Sequence, residues 1–140
     1  MRCLSVWQPW AWLIIHGPAP GGPKDVENRT WYTNYRGPLL IHAAMKFTWG
    51  EYWTAHNVYR GISNLPRESW PHWPEREELA LGCIIGVVDL VDCVQNHPSK
   101  WAEPGCWHWL LANPRPVKPF PVRGRQKLFE VPVEIEVLAG

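Results

Sequence analysis

Two cations and a carboxylate, Lys24, Arg29 and Glu27, fall in one short stretch of this 140-residue sequence, Gly22-Pro23-Lys24-Asp25-Val26-Glu27-Asn28-Arg29. Two cations around a carboxylate have a definite chemistry. Lys24 and Arg29 can neutralise phosphates or hydrogen-bond a base carbonyl, and Glu27 can accept from an exocyclic amine such as that of cytosine. The same residues would serve a hydrolase, with Lys24 as nucleophile or base and Glu27 as the carboxylate that activates a water. In a strictly extended segment Glu27 and Arg29 point to one face and Lys24 to the other; a bend after Gly22 would let all three converge. The plainer alternative is a solvated surface ion pair between Glu27 and Arg29 or Lys24.

Aromatic rings supply the other half of such a site. Trp7, Trp31 or Trp107 could provide a stacking plane, worth about 1–3 kcal/mol per base. The sequence holds 11 tryptophans, so most of them must fill a core; Trp7 and Trp31, flanked by polar residues, are the favoured exceptions. A basic run, Arg115, Lys118, Arg123, Arg125 and Lys127, contains no acid. It could track a phosphate backbone, or it is a solvated loop beside Glu130, Glu134 and Glu136. The six histidines form no site by spacing, yet His42 and His108 could each face a cleft as acid or base, the alternative being a hydrogen-bonded structural role.

The elements that must position these residues can be read from periodicity. Residues 2–6 predict a strand, after which Pro9 opens a helix with Trp10, Leu13 and Ile14 on one face, ended by Gly17 and Pro18. Residues 18–23 are a loop, 24–31 an extended segment and 38–43 a strand. Thr48 and Glu51 make a capping box, with Phe47 and Tyr52 as its hydrophobic staple. That helix turns Tyr52, Ala55 and Tyr59 inward and is predicted to stop at Gly61. Residues 62–73 read as a surface loop and 74–81 as a short helix whose first turns carry Glu75, Glu77 and Glu78. Residues 83–94 are apolar on both faces, as in a central strand, with Gly86 marking a bulge or close approach. Residues 105–112 predict another strand, 114–121 a proline-rich connection, and 129–137 a one-sided strand in which Pro132 argues for an edge or bulge. About six short strands with two or three helices between them predict an α+β fold on a small, curled, mixed sheet.

Composition narrows the classes. The length fits a single domain spanning residues 1–140, and a net charge of +1 excludes a polyelectrolyte, so any nucleic-acid affinity must come from a local patch. Cys3, Cys83, Cys93 and Cys106 show no C-x-x-C pair and no histidine at finger spacing, which predicts free thiols and no metal or cofactor. With no apolar leader and no apolar run long enough to span a bilayer, a cytoplasmic protein without membrane contact is expected.

The segment at 22–29 fits G-x-K-x-x-E-x-R and is followed by Thr30-Trp31, and it resembles the signature of the ASCH family, the activating-signal-cointegrator homology domains. Leu4-Ser5-Val6-Trp7-Gln8-Pro9-Trp10, Arg36-Gly37-Pro38-Leu39-Leu40-Ile41-His42-Ala43, Ile85-Gly86-Val87-Val88-Asp89-Leu90, Trp107-His108-Trp109-Leu110-Leu111-Ala112-Asn113-Pro114 and Gly124-Arg125-Gln126-Lys127-Leu128-Phe129 keep the family's order. The likeness covers most of the chain apart from 51–81. It implies a PUA-like barrel and a cleft lined by the signature. Members of the family are associated with RNA or DNA binding, with ribonuclease activity and with hydrolysis of N4-acylated cytidines. In the cytidine-type amidohydrolases a threonine stands three positions after the lysine, where this sequence has Glu27. The partner carboxylate of that triad would have to be Asp89 or Asp92.

The resulting expectation is a metal-free module that binds nucleic acid or a modified nucleobase. Its cleft lies between the first helix, residues 24–31 and the Trp107 strand. The ligand-binding residues are Trp7, Gln8, Lys24, Glu27, Arg29, Trp31, His42, Trp107, Arg125 and Lys127. A metal-independent hydrolase using Lys24 and Glu27 is the alternative, and a protein-interaction domain with a tryptophan-rich groove a third. Lys24→Ala or Arg29→Ala is expected to weaken binding at least several-fold with thermal stability nearly unaltered.

Overall fold

The computed structural model describes residues 1–132. Its strands are β1 (Arg2–Val6), β2 (Val26–Arg29), β3 (Gly37–Ala43), β4 (Cys83–Val94), β5 (Trp107–Pro121) and β6 (Leu128–Glu130). Helix α1 (Trp10–His16) follows β1, and α2 (Trp49–Ser63) lies between β3 and β4. The strands form one sheet in the order β2-β5-β4-β3-β1-β6. Among the described residues only β1 and β3 pair in parallel; the other neighbours are antiparallel. The sheet curls into half a barrel, giving the α+β, PUA-like architecture expected.

Alternation along the strands divides the core between two faces. Leu4, Val6, Leu39, Ile41, Val88, Leu90 and Trp109 pack on one face against Ala11, Ile14 and Ile15 of α1. Cys3, Leu40, Ile84, Val87, Val117 and Phe129 fill the other. The approach of α1 to the sheet requires Gly86. A Cβ there would lie 2.5 Å from Ile15 Cδ1 and 2.8 Å from the Arg115 carbonyl oxygen, and the β4–β5 register shifts beside it.

Four expectations need correction. Helix α2 runs through Gly61 and ends at Asn64, which takes the left-handed C-cap conformation at φ 56°, because an exposed interior glycine costs only about 1 kcal/mol. Its Thr48 cap accepts from the Glu51 N–H at 3.1 Å and the Phe47–Tyr52 staple is in place, but the Glu51 carboxylate accepts from Trp10 Nε1 at 2.7 Å instead of closing the box. The helix predicted over 74–81 is a single 3-10 turn, Arg76–Glu78, closed by reciprocal Glu75–Glu78 capping bonds. The loop before it is not simply superficial: Trp70 and Trp73 are buried with Tyr52, Tyr59, Leu13 and Trp101 in a third, largely aromatic cluster.

The proline-rich stretch also differs from its reading as a connection, because it continues β5 to Pro121. Strand β2 covers β5 only over residues 107–110. Beyond that, one side of β5 leaves the ladder among the described residues, and proline's missing N–H is tolerated there. Strand β6 is the outer strand next to β1, as Pro132 suggested; residues 133–137 of the predicted one-sided strand lie outside the described residues. Among the described residues no helix is long and apolar enough to cross a membrane.

Candidate functional site

The bend that brings the signature together begins at the end of α1. Loop 17–23 folds tightly on itself: a Cβ on Gly17 would lie 2.4 Å from the Leu13 carbonyl oxygen, and one on Gly22 would lie 2.5 Å from the Gly17 carbonyl carbon. The Lys24 N–H then donates to the same Leu13 carbonyl at 2.9 Å. This turns the Lys24 side chain inward, to the side on which Glu27 and Arg29 of β2 already point. Pairing of β2 with the first residues of β5, Glu27 opposite Trp109 and Arg29 opposite Trp107, sets the register.

All three side chains meet. Lys24 Nζ donates to Glu27 Oε1 at 2.9 Å and to the Val26 carbonyl. Arg29 Nε donates to Glu27 Oε2 at 2.9 Å, and its Nη2 lies 2.7 Å from the same oxygen and donates to the Ser5 carbonyl at 3.0 Å. Exposure is 4% for the Lys24 side chain, 9% for Glu27 and 24% for Arg29, so the cluster is no solvated surface pair. Burial pushes the Glu27 carboxyl up, but the charges and hydrogen bonds of Lys24 and Arg29 outweigh it and hold the group below its ordinary value. Glu27 is therefore an ionised acceptor at neutral pH. The burial of Lys24 also overturns the expected indifference of stability to Lys24→Ala, since its removal disturbs a buried ion pair.

The triad lies in a cleft of about 330 Å³ between the end of β1, α1, β2 and α2. Trp7 stands at the mouth, 39% exposed, with Lys46 Nζ 5.1 Å from its ring, and Trp10 lies inside with Lys24 Nζ 5.9 Å from its ring. Several lining groups were missed from sequence: Trp10, Asn28, Glu51, Thr54 and Glu103. Glu51 was legible only as a capping residue. Glu103 arrives on the β4–β5 loop, which Asn28 and His108 clamp. Asn28 Oδ1 accepts from the Glu103 N–H at 2.9 Å, and its Nδ2 donates to the Trp101 carbonyl at 3.0 Å. His108 Nδ1 accepts from the His97 N–H, which leaves the proton on Nε2 to donate to the Glu103 carbonyl at 2.6 Å. His108 is thus a structural histidine that sets one wall.

Other expected site residues lie elsewhere. Gln8 is 1% exposed and fully engaged, donating to the Ala80 carbonyl and accepting from the Trp12 N–H, so it anchors α1 and does not reach the cleft. Trp31 packs edge-on against Trp109 at 4.7 Å and joins the core; Trp107 packs against Tyr32 at 5.0 Å. Neither lines the cleft. Asp89 is committed to Arg115 and Asn113, and Asp92 lies beside Arg36, so the carboxylates near Lys24 are Glu27, Glu51 and Glu103 instead. The Cys106 thiol is pushed up by burial and by Glu103 and Glu27, which keeps it protonated and a poor nucleophile.

His42 and Arg125 line a second hollow, of about 650 Å³, with Ser5, Met45, Gly82 and Arg123. It lies on the other face of the sheet, because Ser5 and His42 alternate with Val6 and Ile41 along β1 and β3. Lys127 is exposed outside both cavities, in the left-handed region at φ 58°.

A family model described as "ASCH domain" matches residues 4–121. The chain belongs to the ASCH domain family. It is similar to Activating signal cointegrator 1 of Homo sapiens, with 33% identity, and of Mus musculus, with 31%, each over 142 aligned positions. The alignments cover 95% of this chain but 22% of each relative, so the likeness concerns one part of those longer proteins. The matched ASCH region includes 51–81, the stretch in which the sequence showed no resemblance. Structure explains its place: α2 contributes Glu51 and Thr54 to the cleft of the ASCH domain.

Proposed function

We propose that this ASCH domain binds nucleic acid by taking one unpaired or modified base into the cleft beside Lys24, Glu27 and Arg29. The observation that carries the reading is the Glu27 carboxylate, held ionised between two cations at the wall of a concave site. Oxygen acceptors at Glu27, Glu51 and Glu103 suit the amino edge of a base, the partly exposed Arg29 suits a base carbonyl, and Trp7 offers a stacking plane at the mouth. Trp7 takes the stacking role that sequence shared among three tryptophans. Four unpaired cysteines suit the reducing cytoplasm expected for such a protein.

Titration with single- and double-stranded RNA and DNA tests the proposal, with Arg29→Ala and Trp7→Ala as the site variants. Several-fold weaker binding by both is expected, with preference for single strands. Equal affinity in variants and parent would remove the cleft from the interface. Hydrolysis is the second reading, favoured by one observation: Lys24, the Thr54 hydroxyl and two further carboxylates line the same cleft. Release of cytidine from an N4-acylated cytidine, or cleavage of the RNA used in the titration, would establish it. Failure of both assays would leave a protein partner as the remaining reading of the groove.

A further inference from the structure

The two cavities have opposite electrostatic character. The cleft presents two cations, Lys24 and Arg29, against three carboxylates, Glu27, Glu51 and Glu103. A phosphate placed there meets more negative than positive charge. Among the described residues the second hollow presents Arg123 and Arg125 and no carboxylate. Among the described residues neither arginine makes an ion pair, and Glu130, the acid of the adjoining hollow, is bonded to Arg2 and the terminal amine.

The arginine loop is built rather than loose. His42 is 1% exposed; its Nε2–H donates to the Val122 carbonyl at 2.7 Å, and its Nδ1 accepts from the Ser5 hydroxyl at 2.9 Å. Gly124 sits directly on this pair, since a Cβ there would lie 2.7 Å from His42 Cε1 and 3.3 Å from Ser5 Oγ. The buried ring thus anchors the start of the loop at Val122 and packs under Gly124, between the two arginines that line the hollow.

The cavities share a divider. Strands β1 and β3 run parallel and end together, Val6 beside Ala43, with the Ala44 N–H donating to the Val6 carbonyl at 2.9 Å. Trp7 and Lys46 leave these ends as a ridge, with Trp7 facing the cleft and Met45 lining the hollow. Ser5 ties the floors together, its carbonyl bonded to Arg29 and its hydroxyl to His42.

We infer that the Arg123–Arg125 hollow is the phosphate subsite of the strand whose base occupies the cleft, with the sugar–phosphate backbone crossing the Trp7–Lys46 ridge between them. This rests on the base-binding reading and divides the labour: the cleft takes an uncharged base edge, and the hollow takes the charge of a neighbouring phosphodiester.

The test uses single-stranded RNA and DNA hexamers and the same DNA hexamer with uncharged methylphosphonate linkages, titrated into the parent, Arg123→Gln/Arg125→Gln and Arg29→Ala. Both substituted arginines are exposed and unpaired among the described residues, and melting temperature checks that the double variant folds. On the phosphodiester hexamers it should bind about tenfold more weakly, and the slope of log Kd against log salt should fall by about 0.7 for each phosphate that the variant no longer neutralises. On the methylphosphonate strand it should match the parent. Parent-like affinity and slope on the phosphodiester hexamers would overturn the inference. If Arg29→Ala has meanwhile lost binding, the cleft stands alone as the site; if Arg29→Ala is also parent-like, the base-binding reading falls with it.

Discussion

Replacing Glu27 by glutamine should unfold the domain far more readily than its single lost charge suggests. Glu27 is the acid bonded to Lys24, and the two side chains are 9% and 4% exposed. The substitution keeps the shape but strips the buried ammonium of its counter-charge, leaving it the neutral amide oxygen, the Val26 carbonyl and the Trp10 ring. Removing one member of a buried pair costs about 3–5 kcal/mol. For a chain of 140 residues, an unfolding entropy of about 2.1 cal/mol/K per residue makes 3 kcal/mol equivalent to about 10 °C in Tm. Lys24→Met should cost less, because Glu27 keeps Arg29 at 2.7 Å. The double substitution should be less harmful than the sum of the singles by about 1–3 kcal/mol. Urea and thermal unfolding followed by circular dichroism measure all four proteins. A Glu27→Gln variant within 1 kcal/mol of the parent, or additive singles, would refute the buried-triad account.

Stability should also depend on pH through His42, whose pKa burial lowers against the partial opposition of its Val122 bond. The unfolded chain then binds the proton more readily, so stability is full above the ordinary histidine value of about 6.5 and declines as pH falls below it. His42→Asn should flatten that decline in urea titrations between pH 7.5 and 5.5 without abolishing it, because His16 is shifted the same way by burial. Gly86→Ala should destabilise by about 1–3 kcal/mol through overpacking against Ile15 and the Arg115 carbonyl, read as a lowered urea midpoint. Trp7→Ala should weaken single-strand binding by about 1–3 kcal/mol while Tm hardly moves; Trp31→Ala should do the reverse, since that ring packs on Trp109.

Much of the framework was legible because its causes are local. Runs of apolar residues placed β1, β3 and β4, Pro9 and Gly17 bounded α1, and Thr48 opened α2, each through rules that act within a few residues. The G-x-K-x-x-E-x-R spacing marked three of the residues in the cleft, and Gly22 marked the bend that lets them converge. The remainder depended on packing between distant segments. Whether Pro114–Pro121 formed a strand turned on where β2 stops covering β5. Whether Trp7 or Trp31 was the more exposed turned on which ring packed against Trp109. The second wall of the cleft came from Glu51 and Thr54 on α2 and from Glu103 on a clamped loop, and no spacing in the sequence announces them. The Arg29 and Arg125 cations, alike in composition, were sent to different cavities because one sits on β2 in register with β5 and the other on the loop after β5 that is tied to His42. Sequence alone determined which chemistries were present and where β1, α1, β3, α2 and β4 would begin. Tertiary structure decided which charges were buried together and which faced solvent, because burial and distance set the strength of an electrostatic interaction and neither is a property of any short segment.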